Sequence, residues 1–244
     1  NVWVESMDDR YIHVAKYGRT SYYKKFDYEG NEKSSMSFPM GLEFACGWYN
    51  YCAITYTDSG SATVMLYKDT TLVASKTYSY GEYYYYIPGL SISAKGVFIL
   101  IDREHNTTSL TERYIEQCDL KLNTVAVSTL IADSVEHENS YRVPHSNTMS
   151  AYELEKTRIM RVFNWNLSNY TTFDIDTAIG TTKYGNGYLL GIIENYIYYT
   201  VRDYARITRI YKFDKSGNLL KERTLPDVIT GGGSVAQIEE TKNV

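Results

Sequence analysis

The sequence predicts an all-β chain, folded as a β-propeller of five four-stranded blades of about 47 residues each. Three observations predict it. The two ends of the chain match: Lys25-Phe26-Asp27-Tyr28-Glu29-Gly30-Asn31, with Pro39 behind it, returns 187 residues on as Lys212-Phe213-Asp214-Lys215-Ser216-Gly217-Asn218, with Pro226 behind it. In that ungapped register Tyr11 falls on Tyr198, Val14 on Val201, Tyr17 on Tyr204 and Arg19 on Arg206. Weaker copies fill the interval, at Leu66-Tyr67-Lys68-Asp69, Gln117-Cys118-Asp119 and Val162-Phe163-Asn164. The apolar anchors Phe26, Leu66, Cys118, Phe163 and Phe213 are therefore 40, 52, 45 and 50 residues apart. Finally, Gly41-Leu42, Gly89-Leu90, Gly187-Tyr188 and Gly233-Ser234 each open an apolar run, and Ser140-Tyr141 takes that place in the fourth unit. A fixed period in the forties with strand-like units is that of a four-stranded blade.

The units run over residues 1–40, 41–88, 89–139, 140–186 and 187–230, one propeller spanning 1–230. The last unit shows the layout most clearly. Tyr188 to Ile193 follows Gly-Asn-Gly as the innermost strand, Tyr196 to Tyr204 is the second and Ile207 to Asp214 the third. Lys215-Ser216-Gly217-Asn218 is a hairpin turn in which Gly217 supplies a positive φ, and Leu219 to Leu225 is the outer strand. Pro226 follows where no ladder donor is needed. The first unit reads identically. Val2 to Glu5 is its inner strand, and its outer strand alternates Lys33, Ser35 and Ser37 toward solvent.

In the second unit Asp58-Ser59-Gly60-Ser61 is a hairpin turn, and Tyr83-Tyr84-Tyr85-Tyr86 connects its outer strand to Pro88-Gly89. Ser91-Ile92-Ser93 and Arg142-Val143-Pro144 mark the third and fourth inner strands. Met149, Tyr152, Leu154, Ile159 and Met160 could pass for a helical stripe, but the repeat register makes Thr148 to Val162 the second and third strands of blade four. Residues 231–244 remain. Gly233 to Glu240 resembles Gly187 to Glu194 at an offset of 46, so the tail is a closing strand or an exit to sequence beyond residue 244.

Composition agrees. The chain has 26 Tyr and 4 Pro in 244 residues and is 43% hydrophobic, which suits half-buried pleated sheets and argues against disorder. A net charge of −4 gives no reason to expect nucleic acid or an anionic membrane as partner. No apolar run approaches the roughly 18 residues that signal a membrane-inserted span. The chain opens at Asn1 with no initiator Met or signal-peptide pattern, which suggests a piece of a longer protein or a processed one.

Candidate chemistry is sparse. Glu5, Glu43 and Glu194 lie on or at the end of inner strands, where paired carboxylates could serve glycoside hydrolysis. The third and fourth inner strands offer no acid, and no catalytic residue is assigned. Glu136-His137-Glu138 with His145 is a conceivable metal corner, but its spacing matches no strong signature, so no metal ligand or cofactor is assigned. His13 sits mid-strand and reads as a structural or exposed residue. Cys46 and Cys52 flank a hairpin that could bring them near each other, whereas Cys118 sits on a core anchor position as a small hydrophobe. Gly231-Gly232-Gly233 lacks the Lys-Ser/Thr of a phosphate loop. Glycosylation sequons occur at Asn106, Asn166 and Asn169, and matter only in a secreted eukaryotic protein.

The aromatics carry the remaining signal. Trp48, Tyr49 and Tyr51 lie at the inner hairpin of blade two, and Tyr83, Tyr84, Tyr85 and Tyr86 at its exit. Such rings offer an apolar face and a polar tip to a sugar or a protein surface, and alternate Tyr also pack between blades. The Lys-Phe-Asp-x-x-Gly-Asn turns and Gly-led inner strands make the chain resemble five-bladed propellers of the tachylectin type and the propeller platform of phage-tail receptor-binding proteins. That resemblance implies a fold; no sugar-site motif carries over residue by residue. The expectation is a non-enzymatic recognition module for a cell-surface glycan or protein receptor. It would sit on a phage tail or bacterial surface, extracellular or virion-associated, with a homo-oligomeric assembly as a further partner. The alternatives are a glycosidase or lyase domain using the inner-strand carboxylates, and a purely structural propeller.

Overall fold

The computed structural model describes residues 2–39, 41–108, 110–130, 149–154, 158–180, 187–202 and 207–225. Blade one is β1 (Val2–Met7), β2 (Tyr11–Lys16), β3 (Ser21–Asp27) and β4 (Glu32–Phe38). Blade two is β5 (Phe44–Trp48), β6 (Tyr51–Asp58), β7 (Ser61–Lys68) and β8 (Thr71–Tyr78). Blade three is β9 (Tyr83–Ser93), β10 (Gly96–His105), β11 (Thr111–Cys118) and β12 (Thr124–Val127). Blade four contributes β13 (Met149–Leu154), β14 (Ile159–Asn164) and β15 (Tyr170–Asp174), and blade five β16 (Gly187–Ile193), β17 (Tyr196–Arg202), β18 (Thr208–Asp214) and β19 (Leu219–Thr224). Every sheet is an antiparallel meander in chain order, and together the sheets are the five blades of a propeller.

The repeated motif is a structural device. Between the third and fourth strands, Gly30 and Gly217 adopt φ of +87° and +85°, and Leu122 takes the left-handed place in blade three. In each of these turns an Asp accepts hydrogen bonds from the Asn four residues on: Asp27 from Asn31, Asp119 from Asn123, Asp214 from Asn218. Each turn also carries a β-bulge immediately before the anchor, between Lys25 and Phe26, Gln117 and Cys118, and Lys212 and Phe213. In blade two the same bulge falls between Leu66 and Tyr67. The true anchor there is Tyr67, one residue beyond Leu66, because a bulge shifts the side-chain alternation by one.

In blade four β13 and β14 are strands where a helical stripe was the competing reading. The Asn164–Asn169 turn joins β14 to β15, and Thr171 Oγ1 donates to Lys215 O in the equivalent turn of blade five at 3.1 Å. The described strands of this blade are therefore its second, third and outer ones. Its inner strand, expected near Arg142-Val143-Pro144, lies outside the described residues. A short helix not expected from the sequence, α1 (Ile175–Ile179), follows β15. Asp174 caps it by accepting from Thr177 N at 2.6 Å, and Gly180 ends it in the left-handed conformation.

The core lies between blades. Met36, Phe38, Ala45 and Ile54 fill the seam of blades one and two. Val64, Leu66, Ile87, Val97, Ile99 and Ile101 fill the next. Phe98, Leu100, Ile115, Phe163 and Leu167 join blades three and four, and Met160, Val162, Ile197, Tyr199 and Phe213 join blades four and five. Each fully buried Ile, Leu or Phe contributes about 1.5–3 kcal/mol. Cys46 and Cys52 point into different seams, toward blade three and blade one respectively. Neighbouring strands thus carry the two thiols on opposite faces, so the hairpin does not bring them together for a bridge, and all three cysteines are free.

Candidate functional site

In an antiparallel blade the first and third turns share one rim of the propeller and the second shares the other with the blade-to-blade connection. The β5–β6 turn therefore carries Trp48, Tyr49 and Tyr51 to one rim, beside the β1–β2 and β7–β8 turns. The Trp48 ring lies 4.7 Å from Tyr49, edge-on at 82°, and 6.4 Å from Tyr51, nearly parallel at 18°. All three are partly exposed. Arg10 stands over the Tyr49 ring at 5.3 Å and Lys68 over Tyr51 at 5.9 Å. The Tyr49 hydroxyl bonds to Asp9, which with burial pushes its pKa up to about 12, so it stays a neutral phenol.

Three polar residues hold this hairpin, the half-buried Asp8 and the buried His13 and Lys25. Asp8 Oδ2 accepts from the Tyr49 backbone N–H and, at 2.8 Å, pairs with Nε2 of the fully buried His13. His13 Nδ1 meets Tyr23 Oη, and Gly47 lies so close over this pair that a Cβ there would fall 2.1 Å from His13 Nδ1. Burial raises the Asp8 carboxyl, but the hydrogen bonds from His13 and from the Arg10 and Tyr49 backbone outweigh it and hold the pKa below its ordinary value. Lys25, also buried, reaches across the seam to Asn50 Oδ1 at 3.0 Å and Asp69 Oδ1 at 3.2 Å, with its ammonium 4.6 Å from the Tyr11 ring centre. Asp69 N in turn donates to Asn50 O. Blade one thus grips both turns of blade two.

The sequence reading missed Asp8, Arg10, His13, Lys25, Asn50 and Asp69. One signal was available: Lys25 heads the repeated Lys-Phe-Asp motif, and its copy Lys212 stands over Tyr198, the copy of Tyr11, at 5.6 Å.

Tyr83 to Tyr86 are not in a connection, as the sequence suggested, but form the first half of β9. Alternation divides them. Tyr83 packs edge-on against His105 at 5.2 Å and under Arg103 at 4.7 Å, while Tyr84 meets Tyr80 at 4.7 Å with the rings tilted by 37° and covers Gly60. Tyr85 contacts Tyr78, and Tyr86 is 45% exposed. Their neighbours Gly60 and His105 belong to second turns, so this group lies at the rim opposite Trp48. The seven aromatics make two surfaces, not one.

Two of the three inner-strand carboxylates lie at opposite rims. Glu43 precedes β5 and accepts from Thr57 Oγ1 at 2.8 Å, about 17 Å of strand away from the Trp48 rim. Glu194 sits in the β16–β17 turn, at the Trp48 rim, and Glu5 bonds Tyr17. Glu43 and Glu194 therefore lie too far apart for the facing pair that glycoside hydrolysis uses. Among the described residues no three His, Cys, Asp or Glu side chains are grouped to hold a metal; His137 and His145 lie outside them. No helix among the described residues is long and apolar enough to cross a membrane.

No protein-family model matches the chain, and no curated protein matches it at a significant level. Solved structures do resemble it. The Saccharomyces cerevisiae protein Sqt1, a propeller, superposes with a TM-score of 0.53 at 10% identity, covering 91% of this chain and 60% of that one. A protein of unknown function from Bacteroides caccae gives 0.52 at 9% identity over 90% of this chain and 79% of that one. The computationally designed protein Ika8 gives 0.51 at 10%, over 96% and 77%. At such identities the likeness is one of fold: the chain is a five-bladed β-propeller. These likenesses do not extend to the tachylectin or phage-tail resemblance.

Proposed function

We propose that the chain is a non-enzymatic recognition module that binds a cell-surface glycan at the rim formed by Trp48, Tyr49 and Tyr51. The observation that carries this reading is the braced hairpin: three partly exposed rings flanked by Arg10 and Lys68 and held by half-buried Asp8 and buried His13 and Lys25. Aromatic faces stack on the C–H faces of pyranose rings, and prefixing them lowers the entropy lost on binding. Asn50, Asp69 and Arg10 supply hydrogen-bonding groups beside the rings. The separation of Glu43 from Glu194 favours binding over hydrolysis. The Tyr- and Asn-rich composition suits a domain of a viral or bacterial surface assembly, extracellular or virion-associated.

A glycan array probed with the full chain tests the reading. Trp48→Ala should abolish the strongest signals while the chain stays folded, and Glu43→Gln should leave them intact. Undiminished binding in Trp48→Ala, or glycan hydrolysis that disappears in Glu43→Gln, would overturn it.

A further inference from the structure

Arg10, in the β1–β2 turn of blade one, stands over the ring of Tyr49 in blade two, 5.3 Å from its centre. The same relation returns two blades on. Lys95, in the β9–β10 turn of blade three, stands over the ring of Trp165 in the β14–β15 turn of blade four, also at 5.3 Å. These are a first and a third turn, so the pair lies on the rim of Trp48. In both places the first turn of one blade sends a cation onto an aromatic ring of the next.

Both members of the second pair are anchored. Lys95 N donates to Ser93 Oγ at 3.1 Å, and Lys95 O accepts from Gln117 Nε2 at 3.2 Å. Gln117 is buried and holds the register position of Lys25, which braces the first site. Gly96 follows Lys95 at a φ of +111°, so near the neighbouring strand that a Cβ there would fall 1.9 Å from Cys118 O. The turn of Trp165 is closed by Leu167 N donating to Asn164 O at 2.9 Å, and Leu167 is buried in the seam of blades three and four. Trp165 itself is nonetheless 44% exposed.

Charge narrows the ligand. Lys95 forms no ion pair among the described residues. The other residues of the Trp165 turn, Asn164, Asn166, Leu167, Ser168 and Asn169, carry no charge. In the third turn of blade three the Asp119 carboxylate accepts from Asn123 and from the Lys121 backbone. The charge this place offers a ligand is therefore positive. We propose that Trp165 and Lys95 form a second sugar site on the rim, selective for carboxylated sugars: the pyranose stacks on the exposed indole while its carboxylate pairs with the lysine ammonium. The proposal rests on the reading of the Trp48 rim as a glycan-binding surface.

Trp3, Trp48 and Trp165 are the three tryptophans of the chain, so its NMR spectrum holds three indole N–H signals, assignable with Trp48→Phe and Trp165→Phe. The isotope-labelled full chain is titrated with oligogalacturonate, with sialyllactose and with neutral cello-oligosaccharide. The Trp165 signal should shift saturably with at least one carboxylated probe and not with the neutral one; which of the two moves it tells a uronic from a sialic acid. Lys95→Gln should weaken that response about tenfold, through loss of one charge-assisted contact, and leave any Trp48 response in place, whereas Lys95→Arg should keep it. Unchanged β10 amide signals show that Lys95→Gln retains the fold. A Trp165 signal that stays still with both carboxylated probes while Trp48 responds would overturn the second site and leave the Trp48 reading standing. A still Trp48 beside a moving Trp165 would uphold this site and count against that reading, and two still signals would count against both. An equal shift with the neutral probe, or an undiminished one in Lys95→Gln, would overturn the selectivity assigned to Lys95.

Discussion

Phe26 and Phe213 occupy one register position, two residues of the same type with different surroundings. Phe213 is fully buried beside Tyr211 and Phe173; Phe26 is only partly buried. Phe213→Ala should cost about 3–5 kcal/mol, as for other fully buried Phe, and Phe26→Ala markedly less. Denaturant midpoints at constant m-value measure this, and equal losses would contradict this difference in burial. The glycines of the same turns separate similarly. A Cβ on Gly30 meets open space, whereas one on Gly217 would fall 2.3 Å from the Phe173 ring. Both Gly→Val changes should cost more than about 1 kcal/mol for the positive φ alone, with Gly217→Val the worse of the two because Phe173 must also move. A larger loss at Gly30 would contradict the geometry.

Among the elements, the Asp–Asn turn is the recurring unit, and its acid side is titratable. Hydrogen bonds from the Asn123 side chain and backbone hold the Asp119 carboxyl below its ordinary pKa of 3.8. A depressed carboxyl contributes stability that is complete above the unfolded pKa and is lost as pH falls through the lower folded value. Asp119→Ala should therefore lower the thermal midpoint at pH 7, and the gap to the parent protein should narrow as pH drops below about 4. A gap that is constant from pH 7 to pH 2 would assign the turn's stability to its backbone instead. The Trp48 hairpin depends on its brace in a comparable way. The Tyr49 backbone N–H needs an acceptor, and Asp8 supplies it while also bonding His13.

These elements differ in how far they could be read from sequence. Strands and turns of blades one and five were legible because Lys-Phe-Asp and Gly-Asn recur at fixed spacing, and local turn chemistry dictates the bulge and the hairpin. Tyr67 was displaced by one residue to Leu66 because a bulge has no signature of its own in a single copy. The helix α1 was missed although Asp174, Thr177 and Gly180 frame it, since five residues are too short for a helical period to show. The brace was illegible for another reason: Asp8 and Lys25 meet Tyr49, Asn50 and Asp69 only across a seam, at sequence separations of 41, 25 and 44.

Across the whole molecule, stability should be graded from the middle of the chain outward. β10 buries both faces: Val97, Ile99 and Ile101 pack toward blade two, and Phe98 and Leu100 toward blade four. Its amides should be the last to exchange in native-state hydrogen exchange, at close to the global free energy of unfolding. Slower exchange in β2 or β18 would place the most stable unit in blade one or five and refute this order.

The sequence by itself determined the architecture, because a repeated unit that buries its faces only against its neighbours leaves few ways to arrange five copies. It also determined the turn glycines and most of the anchor positions, whose conformations are set within a few residues. Tertiary structure alone decided which face each repeat covers, that the seven aromatics divide between two rims, and that a lysine and an aspartate from blade one brace the hairpin of blade two. Those outcomes depend on contacts between blades, and the energy of burying a side chain depends on what lies opposite it, which no repeat unit encodes in itself.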